Sequence, residues 1–154
     1  MNIVQLKELN QEELNLLEKM PVLITLLIGY ADENLNEKEK EMGKISAEFR
    51  KTGGDTLVQD YFAWVSPAYD AHLEAAIRQY GALSAEERLD AISAEIERAN
   101  KILNKIDTKY ASALLESWRG LARAVAQSSG GILGRMAVTY EERDLMALDM
   151  LYLE

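Results

Sequence analysis

Ala31-Asp32-Glu33-Asn34-Leu35-Asn36-Glu37-Lys38-Glu39 is the stretch on which the fold turns. It follows an almost wholly apolar run, Met20 to Ala31, and opens a new helix. Asn36 supplies a side-chain oxygen for the exposed amides of that helix, and Glu39 reaches back to the cap, the reciprocal arrangement of a capping box. A degraded copy stands near the other end, Ala126-Gln127-Ser128-Ser129-Gly130-Gly131 followed by Val138-Thr139-Tyr140-Glu141-Glu142-Arg143. Both copies read as apolar helix, polar turn and capped acidic helix start, which predicts a duplicated helix–loop–helix.

The same punctuation extends outward from this stretch. Asn10 with Glu13 opens a short first helix to about Met20, and Pro21 suits the first position of a next helix over 21–31. That segment is apolar on every side, which predicts a central position. From Asn36 a helix carries Met42, Ile45 and Phe49 and stops at Gly53-Gly54. Asp55 caps a short helix with Leu57, Val58, Tyr61 and Phe62. Ser66-Pro67 opens another, with Leu73, Ile77 and Tyr80 on one stripe, ending at Gly81. Ser84 with Glu87, another capping box, starts a long series of apolar steps of three and four. A break at Asp107-Thr108 is expected, because an unbroken helix of forty residues is far above the average length. A final helix is expected from the Thr139–Glu142 capping box through Leu153. No stretch alternates with a period of two, so no sheet is expected.

Composition narrows the function. The 154 residues suffice for one domain with a real core, and 48% of them are apolar. The net charge of −9 argues against general nucleic-acid binding, which draws its affinity from a basic face. No cysteine is present, so disulfides, thiolate metal sites and thiol catalysis are excluded. The apolar run ending at Ala31 is short of the roughly 20 residues that span a bilayer. The N-terminus lacks the basic and apolar regions of a signal peptide. A soluble cytoplasmic domain without membrane insertion is expected.

Asp32, Glu33, Asn34, Asn36, Glu37 and Glu39 carry the oxygens that a hard divalent cation prefers. An EF-hand is excluded, because Glu37 occupies the position that needs glycine and Gly43 the position that needs the bidentate carboxylate. The pattern of apolar helix, Ala-Asp, polar residues and Glu seven positions after the Asp resembles the TerB-like family, named for tellurite-resistance proteins. The resemblance covers roughly residues 20 to 154, and residues 1–20 would form an N-terminal helical extension. It implies an all-α single domain of about seven or eight helices in two pseudo-symmetric halves. It also implies a non-enzymatic module of the stress or tellurite-resistance type, with calcium or magnesium held by Asp32, Glu39 and Glu142. Two departures stand out. Ser129 occupies the place of the second aspartate, and Gly131 to Ala137 lengthens the second loop.

Other candidates are weaker. His72 is the single histidine, too few for a di-iron or catalytic zinc site, and reads as half-buried or surface. The glycine-rich Gly130–Arg135 lacks a phosphate-loop pattern and reads as a loop with an apolar tip at Ile132, Leu133 and Met136 for a protein partner. Arg98, Lys101, Lys105 and Lys109 would form one basic stripe if their helix ran on. Trp64, Trp118 and the tyrosines read as core. A metal-free helical interaction or scaffold domain is the alternative function, and a carboxylate-based hydrolase the third. Asn36→Ala and Thr139→Ala are each expected to destabilise the fold by about 1 kcal/mol in urea titrations; two neutral substitutions would show that the helix starts are misplaced.

Overall fold

The structure, a computed structural model, describes residues 1–31, 35–137 (the backbone alone from 129 to 137) and 145–154. It is all-helical, with no strand among the described residues. The α-helices are α1 (Gln11–Ala31), α2 (Glu37–Phe49), α3 (Gln59–Val65), α4 (Tyr69–Gly81), α5 (Ala85–Glu97), α6 (Ala99–Leu103) and α7 (Thr108–Ala137). Single 3-10 turns precede α1, α3 and α4, at Val4–Leu6, Thr56–Val58 and Ser66–Ala68.

α1 is the axis, packed against α2, α3, α4, α5, α6 and α7. Every residue from Met20 to Tyr30 is buried, as the all-round apolar sequence predicts. α7 lies against both α1 and α2 and buries Tyr110, Leu114, Trp118, Leu121 and Val125. α1 is long and apolar enough to cross a membrane by length and composition, but here most of it is enclosed by the other helices. Residues 1–20 contribute Ile3, Leu6, Leu9, Leu16, Leu17 and Met20 to the same core.

The expected helix start at Pro21 does not occur; α1 runs straight through it. A proline inside a helix removes the N–H that would serve the carbonyl four residues back, here that of Leu17. The Tyr61 hydroxyl supplies the missing donor, at 2.6 Å from the Leu17 oxygen. Tyr61 is fully buried, and Trp118 Nε1 donates to its oxygen at 3.3 Å. One turn on, the Thr25 hydroxyl donates to the Pro21 carbonyl at 2.8 Å and accepts from the Tyr69 hydroxyl at 2.9 Å. Burial pushes both tyrosine hydroxyls far above their ordinary range, so they remain neutral donors.

Local signals elsewhere act as expected. Asn10–Glu13 and Asn36–Glu39 form reciprocal capping boxes, Asp55 accepts from the Leu57 amide, and at the box expected from Ser84 and Glu87 the Ser84 hydroxyl caps α5 without the return bond from the Glu87 side chain. Gly54 takes a φ of 70° beyond the end of α2, the left-handed conformation that glycine adopts without strain. The chain leaves the helix between Leu103 and Thr108, where Asp107 accepts from the Tyr110 amide at 3.0 Å. The expected break there is found.

Three further expectations are corrected. First, α7 continues in helical backbone to Ala137, so the turn expected at 126–131 and the loop at 130–137 are helix. Glycine weakens a helix by about 1 kcal/mol per residue without breaking it, and the flanking Ile132, Leu133, Met136 and Ala137 favour continuation. The second half thus departs from the first at the turn that was to match it. Second, among the described residues 145–154 helical backbone extends no further than 146, where the chain turns, and Leu148 has a φ of 51°. The Leu148 and Leu151 amides bond the carbonyls three residues back, and the Tyr152 and Glu154 amides go to side chains. Asn100 donates to the Met150 carbonyl and accepts from the Tyr152 amide, and Asn104 does the same for Tyr152 and Glu154. Tyr152 is consequently exposed rather than core, and Trp64 is half-buried. The Thr139 cap lies outside the described residues.

Third, α2 turns its small and polar face inward. Glu39, Gly43, Ser46 and Ala47 are buried, whereas Ile45 and Phe49 are 48% and 60% exposed. Gly43 explains the choice, because a Cβ there would stand 2.2 Å from both Thr25 Oγ1 and the Tyr69 hydroxyl. Gly43→Ala is expected to cost about 1–3 kcal/mol, the usual penalty of overpacking, and to lower the urea midpoint without loss of helix content. An unchanged midpoint would show that α2 does not approach α1 this closely.

Candidate functional site

The first-half acidic site is represented among the described residues by Glu39, the third residue of α2. Its amide donates to Asn36 Oδ1 at 2.8 Å, and its Oε1 accepts from the Asn36 amide at 3.0 Å. The helix dipole favours carboxylates at this end, where Glu37 also stands. Glu39 nevertheless differs from Glu13, which forms the same box, and from Glu87, of which only the amide takes part in a cap. Glu87 is exposed and Glu13 is half-buried beside Lys105 at 3.0 Å, while Glu39 is 1% exposed. Capping needs only the two hydrogen bonds and imposes no such burial.

Leu35 and Glu39 both pack against Gly29. A Cβ at residue 29 would fall 2.3 Å from Leu35 Cδ1 and 3.6 Å from Glu39 Oε1. The missing side chain makes room for Leu35 against the end of α1, with the Glu39 carboxylate beside it. The spacing of acids does not reveal this seat; a glycine inside an otherwise bulky apolar run is its sequence signal.

Asp32 and Glu142, the two other expected ligands, lie outside the described residues, as do Glu33 and Asn34. Among the described residues no group of three or more His, Asp or Glu side chains is close enough to hold a metal ion. The chemistry of Glu39 alone, a hard anionic oxygen, suits calcium or magnesium.

His72 is half-buried, as expected, with Nε2 3.1 Å from Glu18 Oε1. The pair borders a cleft of about 460 Å³ that also includes Lys19, Gln79, Tyr80 and Glu95. A histidine oriented by a carboxylate is two-thirds of a nucleophile-activating triad, but no serine or threonine lines this cleft among the described residues.

The expected basic stripe is broken up. Helix α5 ends at Glu97, α6 at Leu103, and α7 starts at Thr108, so the four cations lie on different segments. Arg98 pairs with Glu95 at 3.0 Å and Lys105 with Glu13 at 3.0 Å. The Asn10 amide, and secondarily Lys105, hold the Glu13 carboxyl below the usual carboxylate range. A cleft of about 790 Å³ runs beside them, between the start of α1, α6 and the C-terminal segment. It is lined by both signs of charge, including Glu12, Glu97, Lys101 and Glu154.

Set against known proteins, the chain matches no family model, no curated protein and no solved structure.

Proposed function

We propose that the chain is a non-enzymatic, TerB-like helical module that binds a divalent cation, calcium or magnesium, through Asp32, Glu39 and Glu142, in processes of the stress or tellurite-resistance type. The observation that carries this reading is the near-complete burial of Glu39 at the head of α2, in contrast to the exposed or half-buried Glu13 and Glu87. A buried carboxylate is retained where its charge is met by hydrogen bonds and a counter-charge. A divalent ion at the Asp32–Glu39 turn contributes such a charge and relieves the mutual repulsion of the acids. With Ser129 in place of a second aspartate the site carries few charges, so the affinity is expected near the millimolar range of low-charge calcium modules.

The second reading is a metal-free interaction domain. It is favoured by the exposed Ile45 and Phe49, one turn apart on the outer face of α2.

Glu39→Gln separates the two. Glutamine at the third helical position preserves the capping box but removes the charge. Calcium or magnesium is expected to raise the melting temperature of the native chain, by the equivalent of about 2.7 kcal/mol at a hundredfold excess over Kd. Neither Glu39→Gln nor Asp32→Asn should respond. A native chain whose melting temperature and amide shifts near Asp32 ignore both ions would overturn the cation reading in favour of the interaction domain.

A further inference from the structure

The acidic turn is not the only place where charge is concentrated. Arg50 follows α2 and is half-buried, its stem running over Gly54, where an added Cβ would lie 3.4 Å from Arg50 Cγ. Its head lies over Gly120 in the middle of α7. A Cβ at residue 120 would stand 2.4 Å from Arg50 Nη2 and 3.8 Å from Arg123 Nη2. Glycine within a helix costs about 1 kcal/mol relative to alanine, and here its effect is to seat one guanidinium against the α7 backbone beside a second.

The hydrogen bonds of Arg50 are lopsided. Nη1 donates to the Ser46 carbonyl at 3.1 Å and to the Ser46 hydroxyl. Nε and Nη2 have no acceptor among the described residues, and neither Arg50 nor Arg123 has an ion pair there. The guanidinium of Arg50 is held below the usual arginine range, first by burial and then by the like charge of Arg123. A role in capping α2 accounts for the two Nη1 bonds. It accounts neither for Gly120 nor for a second cation placed beside the first in a chain of net charge −9.

We propose that Arg50 and Arg123, seated over Gly120, form a binding site for a phosphate-class dianion. Guanidinium forks match the oxygens of a phosphoryl group, and two cations balance two negative charges. The exposed Arg123 leaves the spot open to solvent, while Ser46 fixes the orientation of Arg50. The source of the group is either inorganic phosphate or a phosphate monoester.

The test is a titration of the full chain with sodium phosphate and, separately, with phosphoserine, against sodium chloride of matched ionic strength. The buffer is held near pH 8, where inorganic phosphate and a phosphate monoester, whose second pKa is about 6, are both mainly dianions. Both the melting temperature and the Nε–Hε resonances of Arg50 and Arg123 are followed. The site predicts a rise in melting temperature and shifts of both resonances that chloride does not reproduce. A response to both anions marks the phosphoryl group itself as sufficient; a response to phosphoserine alone assigns the monoester. Arg123→Gln alters an exposed side chain and should weaken binding about tenfold, as should Gly120→Ala, which displaces Arg50. No response beyond chloride, or native affinity in Arg123→Gln, would overturn the assignment.

Discussion

The hydrogen bond from the Tyr61 hydroxyl to the Leu17 carbonyl is the contact on which the architecture depends. Pro21 strips that carbonyl of its helical partner, and a buried carbonyl left without a donor costs about 1–3 kcal/mol. Tyr61 fills the vacancy and is itself anchored by Trp118, so a single chain of donors crosses from α7 through α3 to α1. Rings reinforce it. Phe62, Trp64 and Trp118 stand edge-on to Tyr61 at centroid separations of 4.9, 6.0 and 6.2 Å. Edge-to-face pairs of this kind add about 0.5–1.5 kcal/mol each beyond their buried area. The result is one uninterrupted axis, Gln11–Ala31, around which the remaining helices gather.

The special features of the surface follow from that axis. Because α1 is continuous, its far end is fixed, and Gly29 there gives Leu35 and Glu39 their seat. Because Thr25 bonds back to Pro21 and receives Tyr69, the adjoining Gly43 must be bare, which draws α2 in on its small face. That orientation leaves Ile45 and Phe49 outside and brings Arg50, at the end of α2, across Gly120 of α7. The acidic turn, the apolar stripe and the arginine pair are thus three consequences of one packing decision. Each lies at an end or on the outer face of α2.

What the sequence revealed was local. Capping oxygens at Asn10, Asn36, Asp55, Ser84 and Asp107 act within a few residues of themselves, and their helix starts are where the side chains imply. What it concealed was set by distant partners. Nothing near Pro21 discloses that a hydroxyl 44 residues away will serve Leu17. Nothing in the apolar run from Leu145 to Leu153 discloses that Asn100 and Asn104, some 50 residues earlier, will bond the backbone of Met150, Tyr152 and Glu154 where helical partners were expected. Hydrophobic periodicity failed on α2 for the same reason, since the room available to a helix is decided by the opposing residues. Of the candidate ligands, the sequence pattern singled out Glu39 by its spacing from Asp32. The seating of Leu35 beside it, and that of Arg50, were signalled only by glycines inside helices, at residues 29 and 120.

The exchange of donors at Leu17 is measured most directly by a double-mutant cycle of Pro21→Ala with Tyr61→Phe. In the native background, Tyr61→Phe orphans the Leu17 carbonyl and also deprives Trp118 Nε1 of its acceptor. With alanine in place of Pro21, the restored N–H serves Leu17, while the loss at Trp118 is unchanged and cancels from the cycle. Urea titrations should therefore show Tyr61→Phe to be less damaging by about 1 kcal/mol or more in the Pro21→Ala background. Effects that add to within about 0.5 kcal/mol would contradict the claim that Tyr61 stands in for the amide proline lacks.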